Sequence, residues 1–201
     1  MTGNEPYSES RERLLQEAER QFGERGYTAV TLRDIADALR IKQASLYHHV
    51  PGGKEQLFIE VSERTFKRHY AGVTRAMTEA GPDVRAQLRG LADWLLSQPP
   101  MDLIRMAYSD MPAIDPAEAG RLSWLAYESM LAPIEAALAR AQEGGQIKHH
   151  NLGLIAGGLL GMIESLHSAP SHVQISRQTM AYDLIDVMLD GLRSREEGRR
   201  A

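Results

Sequence analysis

Between Thr31 and Lys54 the chain is punctuated so closely that only short helices fit. Thr31 can cap a helix N-terminus, and Asp34 can return the hydrogen bond in a capping-box arrangement. Leu32, Ile35, Ala36 and Leu39 follow at helical spacing, an amphipathic helix of about two turns ending near Leu39. Arg40-Ile41-Lys42 supplies a turn. Gln43 to His49 makes a second short helix, Pro51-Gly52-Gly53 breaks it, and Lys54 opens a long helix to about Glu79.

Helix signals continue on both sides, and strand signals are scarce. Leu14, Leu15, Ala18 and Phe22 form one face of a first helix over 9–25, stopped by Gly26. Gly81-Pro82 precedes a helix over 83–97, whose inner face is Val84, Leu88, Leu91 and Leu95. After Pro99-Pro100 comes a shorter helix over 101–109, then a loop from Met111 to Pro116. A long helix over 117–143 has Trp124, Tyr127, Leu131, Ile134 and Leu138 on its face. Pro133 lies inside it and predicts a kink near Ser129. Asn151 can cap a helix over 152–168. The last helix spans 176–194, with Met180, Leu184, Val187, Met188 and Leu192 on one side, and the charged tail SREEGRRA is expected to fray. The fold class is therefore all-α, with about nine helices.

Net charge over the 201 residues is −4, so charge alone argues little for a nucleic-acid partner. The distribution says more: residues 39–54 hold Arg40, Lys42 and Lys54, two histidines and no acid. Cysteine is absent, which removes disulfides and thiolate metal sites. The opening MTGNEPYSES has no basic-then-apolar signal, and the expected location is cytoplasmic. The apolar run Leu152 to Ile163 has 12 residues and four glycines, too short to span a bilayer.

The two short helices have the layout of a helix-turn-helix, in which the second helix enters the major groove and the first crosses the DNA backbone. The stretch TLRDIADALRIKQASLYHHVPGGKEQL resembles the DNA-binding signature of the TetR family through Thr31, Ile35-Ala36, Ile41, Ser45-Leu46-Tyr47, His49-Val50, Lys54 and Leu57. The detailed resemblance covers about residues 10–58. It implies an N-terminal three-helix DNA-binding domain (1–54) followed by a helical effector-binding and dimerisation domain (55–201). It also implies backbone-phosphate roles for Thr31, Tyr47 and Lys54, and base-side roles for Lys42, Gln43, Ala44, Ser45 and His48. The chemistry agrees: Gln43 can pair with adenine, and hydroxyl and ammonium groups suit phosphate oxygens. The alternative readings are Thr31 as a cap alone and Tyr47 as a packing residue, while Leu46 and Val50 suit a core. Two features depart from the family pattern: Arg40 stands where a glycine is usual, and the Pro51-Gly52-Gly53 connection is one residue longer.

The resemblance places a ligand pocket among the middle helices and a dimer interface on the last two. Trp94, Met106, Tyr108, Trp124, Tyr127, Met130 and Met162 offer aromatic and thioether surface, and His167 a polar group, for a largely apolar effector. Residues at such spacing also suit an ordinary core. Gly157, Gly158 and Gly161 would let the helix over 152–168 approach another closely. With 176–194 it is expected to form a homodimer interface, and two recognition helices would then read a palindromic operator in double-stranded DNA. No cofactor, metal or membrane partner is expected.

Among enzyme motifs, G-x-S-x-G, H-E-x-x-H and G-x-G-x-x-G are absent. Gly53-Lys54 resembles a P-loop ending, but His48 and Glu55 occupy the positions that need glycine and Ser or Thr. The competing readings are a DNA-binding architectural or division-type factor without an effector, and a helical adaptor whose helix-turn-helix is vestigial.

Overall fold

The structure, a computed structural model, describes residues 5–148, 150–170 and 174–192, with side chains from Glu9 onward. The frayed-tail expectation and His149 lie outside the described residues. The helices are α1 (Glu5–Arg25), α2 (Leu32–Leu39), α3 (Gln43–His49), α4 (Gly53–Glu79), α5 (Val84–Ser97), α6 (Leu103–Arg105), α7 (Pro116–Ala126), α8 (Ala132–Glu143), α9 (Leu152–Ser165) and α10 (Arg177–Leu192). The fold is all-α, and among the described residues no helix is long and apolar enough to cross a membrane.

The chain divides into two compact units. The first holds residues 1–68 and 101–126, the second 69–100 and 127–201. The first unit's core is built from Leu14, Ala18 and Phe22 of α1, Val30, Ile35 of α2, Leu46 of α3 and Phe58 of α4, all buried. The Phe22 and Phe58 rings meet edge to face at 5.3 Å, and Tyr27 leans on Phe58 at 4.9 Å. In the second unit α5 packs against α8, α9 and α10. Its Leu88, Leu91 and Leu95 are buried as their spacing predicts. A polar ladder joins α5 to α10: Arg85 and Arg89 both pair with Asp186, Arg89 lies over the Tyr182 ring at 4.8 Å, and Tyr182 donates to Asp93 at 2.8 Å.

Two expected elements are corrected. The helix over 101–109 is broken into α6 and a π turn (Met106–Asp110), and the loop after it begins with a 3₁₀ turn (Met111–Ala113). The long helix over 117–143 is interrupted by a π turn (Tyr127–Leu131) just before Pro133, where the missing N–H was expected to cause a kink. A π turn accommodates about one extra residue, so a continuous 3.6-residue pattern slips phase across it. Ile134 and Leu138 are buried as expected, but upstream the buried residues are Leu122 and Met130, while Trp124 is 62% exposed.

The turn between α2 and α3 settles the first departure from the family pattern. Arg40 has φ 56° and ψ 39°, the left-handed conformation. Its N–H donates to Asp37 O and that of Ile41 to Ala36 O at 3.0 Å, a Schellman closure. A side chain in this region costs about 1–2 kcal/mol. Arg40→Gly is therefore expected to raise stability by about 0.5–1 kcal/mol, part of the relief being offset by the freer unfolded chain. Urea denaturation measures this, and a lower midpoint would show that the Arg40 side chain contributes more than its backbone costs.

Candidate nucleic-acid interface

The site begins with the cap of α2. The Thr31 side chain accepts from Asp34 N at 3.1 Å, and Asp34 accepts from both the amide and hydroxyl of Thr31 at 2.7 Å. The hydroxyl contact first, then the amide, hold the Asp34 carboxyl below its ordinary range, with Arg25 and Arg33 adding to the effect. The single hydroxyl proton of Thr31 is thus committed to Asp34. Gln21 of α1, itself buried, donates to the Asp34 carbonyl at 3.2 Å and ties α1 to α2.

α3 turns Leu46 into the core, and Val50 follows it inward just beyond the helix. Lys42, Gln43, Ala44, Ser45, Tyr47 and His48 are all exposed, Tyr47 to 50%. Five of the candidate DNA-reading residues therefore lie on one short, outward-facing helix, with Lys42 at its cap. Arg40, also exposed, adds a cation at the turn.

α4 opens on Gly53, whose φ is +74°. Gly52 N donates to Gln56 Oε1 at 2.8 Å across this start. Lys54 then reaches back rather than standing free. Its Nζ donates to Tyr27 O at 3.0 Å and lies 4.1 Å from the centre of the Tyr27 ring. Burial, and then the Glu55 charge, push the Tyr27 phenol above its ordinary range. An ammonium has three donors, so this contact orients Lys54 while leaving it protons for an anion.

A second set of contacts braces the α1 end of this layer. Arg105 donates to the carbonyls of Phe22 (3.1 Å), Gly23 (2.6 Å) and Glu24 (3.4 Å), supplying donors to the unpaired end of α1. Asp110, 2% exposed, accepts from Tyr27 N at 2.9 Å, and Arg105 Nε is 3.6 Å from its other oxygen. Gly26 lies between them at φ +82°, a conformation that favours glycine, and a Cβ there would stand a tight 3.0 Å from both Arg105 and Asp110. Along α1 and α4 run three further pairs, Arg11–Glu60, Arg64–Glu12 and Arg68–Glu19. Sequence reasoning missed Arg11, Tyr27, Arg105 and Asp110. Their partners lie from 27 to 83 positions away, beyond any local pattern.

The candidate ligand residues are spread over both units. Met106, Tyr108 and Trp124 belong to the first, and Trp94, Tyr127, Met130, Met162 and His167 to the second. Tyr108 is 83% exposed, and Met130 is buried. Tyr127 donates to Glu135 at 2.9 Å, which raises its phenol pKa. His167 is held below its ordinary range by burial and then by Arg177. Trp94 lies flat on α4 at Gly72, with His69 edge-on at 6.3 Å. A cleft of about 370 Å³ in the second unit is lined by other residues, among them Val84, Arg85, Ile147 and Leu189.

A capped first helix, a tight left-handed turn and a second helix with one buried residue and a polar outer face define a helix-turn-helix DNA-binding protein. Residues 14–61 match the model of the family described as bacterial regulatory proteins, tetR family. The chain is 27% identical to the HTH-type transcriptional regulator LmrA of Bacillus subtilis over 175 residues, covering 82% of this chain and 92% of LmrA. It is 43% identical to the HTH-type transcriptional repressor KstR2 of Rhodococcus jostii over 81 residues, 40% of this chain and 39% of KstR2. Its fold matches AibR, solved in complex with isovaleryl coenzyme A and operator DNA. That match has a TM-score of 0.70 at 20% identity and covers 91% of this chain and 97% of AibR. Residues 14–61 therefore carry the DNA-binding segment of the tetR family, and the chain as a whole is similar to transcriptional regulators of that family. The curated relatives it matches are transcriptional regulators and repressors.

Proposed function

We propose that this regulator is a cytoplasmic homodimeric repressor that reads a palindromic operator with α3 and is released by a small, largely apolar ligand. The observation that carries the reading is the outward face of α3, where Gln43, Ala44, Ser45, Tyr47 and His48 are exposed beside the cap residue Lys42. Gln43 pairs with a base edge, best adenine, and Lys42, Ala44, Ser45 and His48 fill the rest of the base-side surface. Tyr47 and Lys54 hold phosphates. Thr31, its hydroxyl given to Asp34, sets the entry of α2 and contributes at the phosphate through its helix start.

The dimer reading rests on α9 and α10. Leu154 is 72% exposed and Val187 73%. A Cβ added at Gly157, Gly158 or Gly161 would meet nothing within 4 Å in this chain. These glycines therefore do not serve packing among the described residues, and their cost of about 1 kcal/mol each in a helix needs another justification. α10 buries Ala181, Ile185, Leu189 and Leu192, while its second apolar side, Met180, Leu184, Val187 and Met188, lies at intermediate to high exposure. A matching copy over α9 and α10 would bury both faces, and a two-fold pair of recognition helices reads half-sites about 34–36 Å apart. The DNA-binding role is assigned to residues 1–54, and dimerisation and effector binding to 55–201. The effector site is drawn from the candidate residues around Trp94, Tyr127 and Met130. Short branched acyl compounds, which match the apolar acyl part of the isovaleryl coenzyme A solved with AibR, are first effectors to screen.

Selection of binding sites from random duplex DNA near physiological salt tests the proposal, with sedimentation to count chains per duplex. A shared palindrome bound by two chains supports it. Recovery of no shared sequence, with binding that disappears as salt rises, overturns it. Lys54→Ala is expected to weaken binding alike on all duplexes and reduce the salt slope by about 1. An unchanged slope would leave Lys54 only its contact with Tyr27.

A further inference from the structure

α3 is a lightly anchored element. It has seven residues, the Lys42 side chain does not cap it, and Leu46 is its one buried residue. With Val50 four positions on, the fully buried side chains form a single stripe, and His49 beside it is half-buried. One stripe holds a short helix against the core but does little to stop it rolling about its own axis. A constraint off that stripe comes from Arg11 of α1, whose Nη1 donates to the His49 carbonyl at the end of α3. Its Nη2 is gripped by both oxygens of Glu60 on α4, 2.7 Å from Oε1. The guanidinium is a rigid planar fork, so fixing one arm aims the other. Both side chains are only about one third exposed, which protects the pair from full solvent screening.

We propose that Arg11 is a positioning residue for DNA recognition: held on α4 by Glu60, it fixes the His49 carbonyl and thereby the roll of α3. The direction in which Gln43, Ser45 and His48 face then depends on a residue that reads no base. This rests on the reading of α3 as the base-reading helix.

The test uses the full chain with Arg11→Met, which keeps the hydrocarbon stem and removes the donors, and Arg11→Lys, which restores one charged donor group. Hydrogen exchange in the absence of DNA is read at the α3 amides against those of α1 and α2. Binding is read on the selected operator and on an unrelated duplex. In Arg11→Met, exchange over α3 is expected to rise about 10-fold with α1 and α2 unchanged. Operator affinity should fall about 10- to 100-fold, the range for losing a charge-assisted hydrogen bond. Affinity for the unrelated duplex and its salt slope should hold, and Arg11→Lys should recover part of the loss. Equal losses on both duplexes with a salt slope reduced by about 1 would overturn the proposal and make Arg11 a phosphate contact. Unchanged exchange over α3 would overturn it as well. If the wild-type chain prefers no duplex, it is the reading of α3 that fails, and the exchange measurement still decides Arg11. If Arg11→Met does not fold, Glu60→Gln loosens the same grip. Its smaller but α3-confined rise in exchange supports the proposal, and a rise spread evenly over α1, α2 and α3 overturns it.

Discussion

Asp110→Ala is expected to lower the stability of the first unit by about 2–4 kcal/mol. The carboxylate is 2% exposed and accepts the Tyr27 amide at 2.9 Å. Removing it leaves a buried N–H without its acceptor, a loss of about 1–3 kcal/mol. It also leaves Arg105 without the carboxylate 3.6 Å from its Nε. Arg105 is one quarter exposed, so water compensates part of that charge and the second contribution is the smaller. Arg105 also donates to three carbonyls at the end of α1, and a shifted guanidinium would release them. Asp110→Asn keeps an oxygen for Tyr27 and is expected to cost only about 1 kcal/mol. Urea unfolding followed by helical signal distinguishes the two variants. Equal costs would place the effect in the charge opposite Arg105 rather than in the Tyr27 hydrogen bond.

Gly72→Ala is expected to be about as damaging, for a different reason. A Cβ at Gly72 would lie 2.0 Å from Trp94 Cε2, 2.1 Å from Cζ2 and 2.5 Å from Cδ2. These are atoms of the indole body, which cannot bend aside, so the ring must leave α4. Loss of that packing is expected to cost about 3 kcal/mol, despite the helix preference of about 1 kcal/mol for alanine over glycine. In a Trp124→Phe background the emission reports Trp94 alone and should shift to the red as the ring meets water. Trp94→Ala provides the sharper test. Once the indole is gone, Gly72→Ala should become neutral or stabilising, a reversal of sign across a double-mutant cycle. Damage of the same size in both backgrounds would mean that Gly72 is needed for something other than the indole.

How far each feature could be read in advance follows from the range of the interactions that make it. α2 and α3 were legible residue by residue because a capping box joins residues three apart and an apolar stripe recurs every three or four residues. The exposed set on α3 followed from placing Leu46 inward, since each residue of a helix advances the side-chain direction by a fixed angle. The same rule failed at 117–143, where a π turn altered that angle and left Trp124 outside. Pro133 marked the place but not the kind of distortion. Arg40 could be recognised as standing in a glycine's position, yet its left-handed geometry was visible only with Ala36 and Asp37 closing around it. Lys54 was expected at a helix start facing phosphate, and its contact with Tyr27 depended on how the Pro51-Gly52-Gly53 connection folded back. Arg11 on His49, Arg105 and Asp110 on the end of α1, and Trp94 on Gly72 left no mark in the residue order. Each joins helices whose separation along the chain carries no periodicity. Local hydrogen bonding and side-chain spacing therefore determine the helices and the face that α3 presents. The bracing that holds that face in place arises only when distant helices bring a charged or aromatic group against an unpaired carbonyl, a buried amide or a bare stretch of backbone.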